Sequence, residues 1–350
     1  MKLITAITIL IVFIASSCTD QSTENNLIIG YGEMPNVVKD SKGDLHIVYG
    51  TGDSIMYSFS SNGGKTFSSP ELISVLPQLM ASHTRGPQIA ATSEGLILIA
   101  CNSFGDIFSY NKTEMGKWKQ TAKLNDVDTV AKEALMALSA DRQNAFAVWL
   151  DLRGDKHNKI FGAKSNDGGI TWSKNILVYA SPDTTVCECC KPSVVMKGND
   201  VYVMFRNWLN GNRDLYLAHS SDGGNTFVQA QKLGNESWTL NGCPMDGGGL
   251  ALNKNGKPET VWRRHNEIYA CEHGQPERKI GEGRSCTIES VNGKNVYAWT
   301  ENGEVIILKT QGVKKNLGKG AIPVIKSINN EQIICVWEKE SEIHSAVLKL

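Results

Sequence analysis

An excess of charge of one sign is absent from this sequence: 36 lysines and arginines stand against 36 aspartates and glutamates. No basic run or basic face stands out either, which argues against nucleic acid as a partner. Beyond Cys18 no apolar run is long enough to cross a bilayer as a helix. No helical period is sustained in the mature sequence, and the paired Cys-x-x-Cys halves of a zinc ribbon do not occur. The chain consists instead of short β-branched and aromatic runs separated by Gly, Asn, Asp and Ser. That pattern predicts an all-β protein.

The opening "MKLITAITILIVFIASSC" has one early lysine, an apolar run from Ile7 to Ala15, and small residues before Cys18. The run is too short for a stable membrane anchor and has the layout of a secretory signal. It resembles a bacterial lipoprotein signal, in which the cysteine is acylated and becomes the first mature residue; a plain secretory signal is the alternative. Ala15 stands where such signals more often carry leucine. Residues 1–18 are thus read as the signal, 19–26 as a flexible polar tether, and 27–350 as the folded domain. The expectation is a monomeric cell-envelope lipoprotein, facing the periplasm or the outside, with its lipid as the only membrane contact. Eight cysteines remain beyond Cys18, and outside the cytoplasm such thiols usually end in disulfides or on a metal.

Three segments repeat: "SSNGGKTF" from Ser60, "SNDGGITW" from Ser165 and "SSDGGNTF" from Ser220. They share the pattern Ser-x-Asp/Asn-Gly-Gly-x-Thr-aromatic, with Asn62, Asp167 and Asp222 at the acidic position. The carboxylate or amide can accept backbone N–H bonds across a tight turn in which glycine supplies positive φ. The pattern resembles the Asp-box, or bacterial neuraminidase repeat, of sialidase-like β-propellers, and "NKTEMGKW" from Asn111 looks like a decayed copy. Around the boxes lie seven larger units, beginning at Pro35, Pro87, Ala134, Pro192, Pro244, Cys286 and Ile322. Each has enough strands for a blade. The last lacks a fourth strand, which "NLIIGYG" (26–32) can supply from the N-terminus to close the ring. The expected fold is therefore a single β-propeller of seven blades, with six, the sialidase number, as the alternative.

In such a blade the start of the innermost strand and the loop after the second strand share one face. On that basis Glu33, His83, Arg85, Cys187, Cys189, Cys190, Cys243, Met245, Asp246, Arg284 and Cys286 gather at one mouth of the channel. Cys101, Asp151, Arg153, Arg206, Asn207, Arg213, Asp214, Arg263, Arg264 and His265 join them from the loops. Each has a plainer reading: the arginines can pair with Asp151, Asp214 and other rim carboxylates, and "GCPMDGGG" (242–249) can be a close-packed strand start. The cysteines can bridge blades, with Cys190–Cys243 or a bridge from Cys187 or Cys189 as options. They can also hold Cu or Zn together with Met245 and Cys286, or be inert.

The resemblance to sialidases implies three arginines clamping a sugar carboxylate, a tyrosine–glutamate nucleophile and an aspartate for proton transfer. At the first-arginine motif this chain has Glu33-Met34-Pro35, without the arginine. Arg85, Arg206 or Arg213, and Arg263 or Arg264 are the substitutes. Tyr269 with Glu267 is the nearest tyrosine–glutamate pair, and Asp151 the candidate acid. The expected ligand is a glycan or other anionic small molecule, with no cofactor required. The alternatives are a soft-metal or redox centre at the cysteines and a non-catalytic interaction scaffold.

Overall fold

The computed structural model describes residues 26–113, 116–272 and 274–350. The signal, Cys18 and the tether up to Asn25 lie outside the described residues, as do Glu114 and Met115 of the decayed box. The described strands form seven four-stranded antiparallel sheets, and no helix occurs among them. The innermost strands of blades one to seven are Glu33–Lys39, Gln88–Ala91, Met136–Asp141, Ser193–Lys197, Gly249–Leu252, Arg284–Val291 and Ala321–Ser327. The protein is a seven-bladed β-propeller, so the count of seven holds and six does not. Blade seven is completed by Leu27–Tyr31, which pairs antiparallel with the C-terminal strand Glu342–Lys349.

There is no single core. Seven apolar clusters each fill one seam between successive blades. The second strand of a blade faces a neighbouring sheet on both sides, which explains its near-continuous apolar sequence. In "NAFAVWLD" (Asn144–Asp151) every residue after Asn144 is buried. Trp149, Trp299 and Trp337, on the second strands of blades three, six and seven, are among the largest fully buried side chains.

The Ser-x-Asp/Asn-Gly-Gly segments form one recurring turn. Ser220 Oγ donates to Asp222 Oδ1 (2.7 Å) and accepts the Gly224 N–H (2.9 Å), while the Thr226 N–H donates to Asp222 Oδ1 (2.9 Å). Ser60–Asn62–Thr66 and Ser165–Asp167–Thr171 repeat these bonds. The second glycine, with φ of 81–85° in the three turns, lies flat against the preceding blade. A Cβ at Gly224 would stand 2.3 Å from Phe146 of blade three, and one at Gly169 2.9 Å from Ile97 of blade two. The aromatics Phe67, Trp172 and Phe227 insert into the same seams. These turns follow the third strand, so the antiparallel topology puts them on the face opposite the loops after the second strands.

Candidate functional site

The innermost strands of all seven blades wall a central cavity of about 220 Å³. Its mouth is shaped by one recurring device. The residue after the aromatic of a second strand reaches across to the start of the next blade. Glu338 Oε2 of blade seven accepts the Met34 N–H of blade one (3.0 Å). Thr300 Oγ1 of blade six accepts the Ile322 N–H of blade seven (3.1 Å). Arg206 of blade four donates its Nε to Asp246 O of blade five (3.1 Å). Met34, Met245, Ser285 and Ile322, at the starts of four blades, all have φ between 51° and 57°. Recurring at four places, this left-handed backbone belongs to the architecture and not to a single strained site.

The seam between blades five and six breaks the pattern. By position Arg263 should clasp blade six, but its guanidinium turns back to His265 O (2.5 Å) and Pro244 O (3.3 Å). Asp246 takes over the clasp, its Oδ2 accepting the Ser285 N–H (2.9 Å). Asp246 is 1% exposed, its Oδ1 has no hydrogen-bond partner among the described residues, and burial pushes its carboxyl up against the pull of the Ser285 N–H, Arg206, Arg263 and Arg284. Arg284 is exposed, and its guanidinium has no hydrogen-bond or ion-pair partner among the described residues. Two guanidiniums, one free and one half-committed, therefore flank a single buried carboxyl, and the mouth here carries excess positive charge. Two seams further round the ring, Glu33 and His83 lie near Glu338, whose carboxyl is raised by burial. Glu338 was absent from the sequence candidates. Its signal was available in "VWEK", which aligns with "VWRR" and puts Glu338 at the position of Arg263.

The other sequence-predicted arginines are engaged elsewhere. Arg206, 2% exposed, spends its guanidinium on three carbonyls, those of Asp246, Arg213 (2.7 Å) and Arg263 (2.8 Å). It staples blade four to blade five. Arg153 forks onto Asp151 and reaches Asp126. Asp151 is fully buried and also accepts the Trp149 indole N–H, so it faces a blade seam and not the mouth. Arg85 is held by Glu133. Arg264 points away from Arg263, as strand alternation demands, onto Glu277 and Glu236. Asn207 bonds the Tyr179 hydroxyl, and Asp214 accepts the Trp238 N–H. Tyr269 does donate to Glu267, but both sit on the third strand of blade five, two strands outward from the channel wall. There they pack with Arg264 and Lys279.

The cysteine expectation is resolved in part. Cys189 is bridged to Cys243, joining the approaches to blades four and five; the pair Cys190–Cys243 is not formed. Cys187 and Cys190 are free and buried beside the bridge, with Met245 packed against the cluster. Burial pushes the Cys187 thiol up, but the Cys190 hydrogen bond and the Arg206 and Arg213 charges outweigh it and bring it down to about 7. Burial and the Cys187 sulfur push Cys190 the other way. Arg213 Nη1 lies 3.1 Å from Cys187 Sγ. The sulfurs of Cys187, Cys189 and Cys190 all lie within 4.8 Å of one another, a soft donor set of the kind that suits Cu(I) or Zn. Cys286 does not join them; it is buried at the channel wall in the seam of blades five and six. Cys101 is sealed in the seam of blades two and three.

Inside the cavity Lys191 extends its ammonium to Gln88 Oε1 (2.8 Å). Gln88 is a neutral partner, and burial lowers the Lys191 amine to about 8.

No protein-family model matches the sequence, and no curated protein matches it. Solved structures do resemble it. The BP39L lectin from Burkholderia pseudomallei aligns with a TM-score of 0.67 at 9% identity, covering 91% of this chain and 96% of the lectin. An ulvan lyase, a polysaccharide lyase solved with a GlcA-containing ligand, aligns at 0.58 and 10% identity, covering 93% and 94%. Virginiamycin B lyase from Staphylococcus aureus aligns at 0.54 and 12%, covering 93% and 98%. At such identities the likeness establishes the propeller fold alone.

Proposed function

We propose that this protein is a glycan-recognising β-propeller of the cell envelope, anchored through a lipid on Cys18, that holds an acidic saccharide at the mouth of its channel. The observation that carries this reading is the seam of blades five and six. There the Arg284 guanidinium has no hydrogen-bond or ion-pair partner among the described residues and Arg263 is released from the clasp its equivalents make, both within electrostatic reach of the buried Asp246. Guanidinium suits the carboxylates and sulfates of acidic sugars because its planar fork donates two parallel bonds. Lectins and a polysaccharide lyase among the structural neighbours are consistent with a carbohydrate ligand. The three Gly-Gly turns fit the Asp-box assignment and serve architecture.

Recognition is favoured over sialidase-type hydrolysis, because Tyr269 and Glu267 lie off the channel wall. The test is a glycan array carrying sialylated, uronate and sulfated glycans, run alongside sialoside hydrolysis. Wild type binds an acidic subset. Arg284→Ala loses about tenfold to a hundredfold in affinity, the worth of one charged hydrogen-bonded contact, with unchanged melting. Equal binding by wild type and Arg284→Ala would sink the reading.

A second reading, a soft metal, rests on the clustered sulfurs. With Cys189 bridged, Cys187, Cys190 and Met245 would be its ligands, and Cu or Zn would sit there as a thiolate complex. Elemental analysis of protein matured in the periplasm and kept from chelators decides it: about one Cu or Zn per chain supports the metal, and metal-free protein removes it.

A further inference from the structure

Four sulfurs from two neighbouring blades meet at the mouth. Cys243 is exposed, while its bridge partner Cys189 and the two thiols behind it are buried. Cys187 Sγ stands 3.6 Å from Cys189 Sγ and 3.0 Å from Cys190 Sγ; Cys189 and Cys190 are 4.0 Å apart. The backbone fixes this grouping. The Cys187 N–H donates to Arg206 O (3.0 Å), and the Cys190 N–H returns to Cys187 O (3.4 Å). Arg213 Nη1 lies 3.1 Å from the Cys187 sulfur and fixes its place beside the bridge. Thiol–disulfide exchange needs an attacking sulfur in contact with a bridge sulfur and a further sulfur to resolve the product. All three are present, and the attacking and resolving residues have the Cys-x-x-Cys spacing.

We propose that the inter-blade bridge is exchangeable: the buried Cys187 and Cys190 pair takes the disulfide from Cys189–Cys243, turning a staple between blades four and five into a closed loop within blade four. In the first step the Cys187 thiolate attacks Cys189 Sγ. The Cys187–Cys189 bond forms, the Cys189–Cys243 bond breaks, and Cys243 leaves as a thiolate that takes up the proton Cys187 gave up. In the second step Cys190, as thiolate, attacks Cys187 Sγ and expels Cys189, which takes up the Cys190 proton. Two S–S bonds form and two break, so neither oxidant nor reductant is consumed.

The consequence falls on the candidate site. Cys243 precedes Asp246 by three residues, so exchange frees the segment that carries Asp246 into the mouth. The relay stands independently of which ligand binds there.

The experiment brings full-length protein to one disulfide per chain by two routes. One is limited reduction of oxidised protein with dithiothreitol; the other is limited oxidation of reduced protein with glutathione disulfide. After equilibration the thiols are trapped with N-ethylmaleimide under acid-quenched, denaturing conditions. Tryptic peptides 175–197, with Cys187, Cys189 and Cys190, and 233–254, with Cys243, are then mapped by mass. Both routes are expected to converge on one mixture: cross-linked peptides, and an internally bridged 175–197 peptide accompanied by alkylated Cys243. Cys187→Ser keeps the cross-link and loses the second population. Cys190→Ser, which serves if the first variant misfolds, accumulates the Cys187–Cys189 product. The proposal is overturned if both routes leave only Cys189–Cys243 in wild type. It is equally overturned if Cys187→Ser shows as much alkylated Cys243 as wild type.

Discussion

Lys191 shows at the scale of one residue how the channel holds charge. Among the described residues its amine hydrogen-bonds only the neutral oxygen of Gln88, and burial lowers it to about 8, against about 10.4 for an exposed lysine. Below pH 8 both folded and unfolded chains carry the proton, and the full cost of burying it is present. Between pH 8 and about 10.4 the unfolded chain binds more protons than the folded one, so stability rises with pH across that window. The gain would be about 3 kcal/mol for a dry site and about 2 kcal/mol with channel water screening it. Lys191→Met should therefore be more stable than wild type at pH 7, and the two should converge by about pH 10.5. Urea melts across that range measure it, and parallel profiles would show that the amine is not held as described. Asp246, whose carboxyl is raised by burial, gives the cavity a second titratable group kept from water. An anionic ligand that brought its own charge to Arg284 and Lys191 would relieve the imbalance.

At the scale of elements, the second glycine of each turn is where local conformation and inter-blade packing meet. Gly223 and Gly224 both have positive φ, at 71° and 85°, but a Cβ on Gly223 meets nothing within 4 Å, while one on Gly224 meets Phe146 at 2.3 Å. Gly223→Ala should cost about 1–2 kcal/mol, the penalty of left-handed backbone alone. Gly224→Ala should cost about 2 kcal/mol more, because the phenyl ring of the preceding blade must move. Chemical denaturation of the two variants separates the contributions, and equal losses would mean the turn does not dock on blade three. These turns, with the Trp or Tyr near the end of five of the seven second strands, made the blade count legible, since each falls at a fixed place in its unit. The gathering of cysteines at one mouth was legible for the same reason. Which cysteine bridges Cys243 was not, because Cys187, Cys189 and Cys190 lie within one turn and sequence spacing does not distinguish them. Nor was the fate of the arginines. Arg206 is consumed by three backbone carbonyls, acceptors that every residue carries and no motif marks. Arg263 and Arg264 are adjacent in sequence yet face opposite sides of one strand.

For the whole molecule, the decisive contact is the closure of the ring. Leu27–Tyr31 is the outer strand of a sheet whose other three strands come from the C-terminal end of the chain. It places Ile29 in the seam with Val37, Leu45, Ile47 and Tyr49 of blade one. Gly30 lies so close to Tyr49 that a Cβ would stand 2.1 Å from its hydroxyl. Removing residues 27–31 leaves Glu342–Lys349 with a bare edge, which invites pairing with other chains, and it uncovers the seam between the first and last blades. The truncated protein should melt well below wild type and associate in sedimentation. The register offers a control that separates lost closure from lost composition. Leu27 pairs with Ser345, so a strand re-attached after Leu350 must run back along five residues, about 17 Å at strand rise. A Gly/Ser linker of about eight residues spans that distance with room for the turn. A permuted chain carrying residues 26–32 after this linker should therefore regain the melting temperature and monomeric state of wild type. If it did not, the N-terminal strand would matter for something other than completing blade seven. If the truncated chain stayed monomeric and as stable as wild type, blade seven would hold with three strands, and the ring would owe its closure to the innermost strands alone.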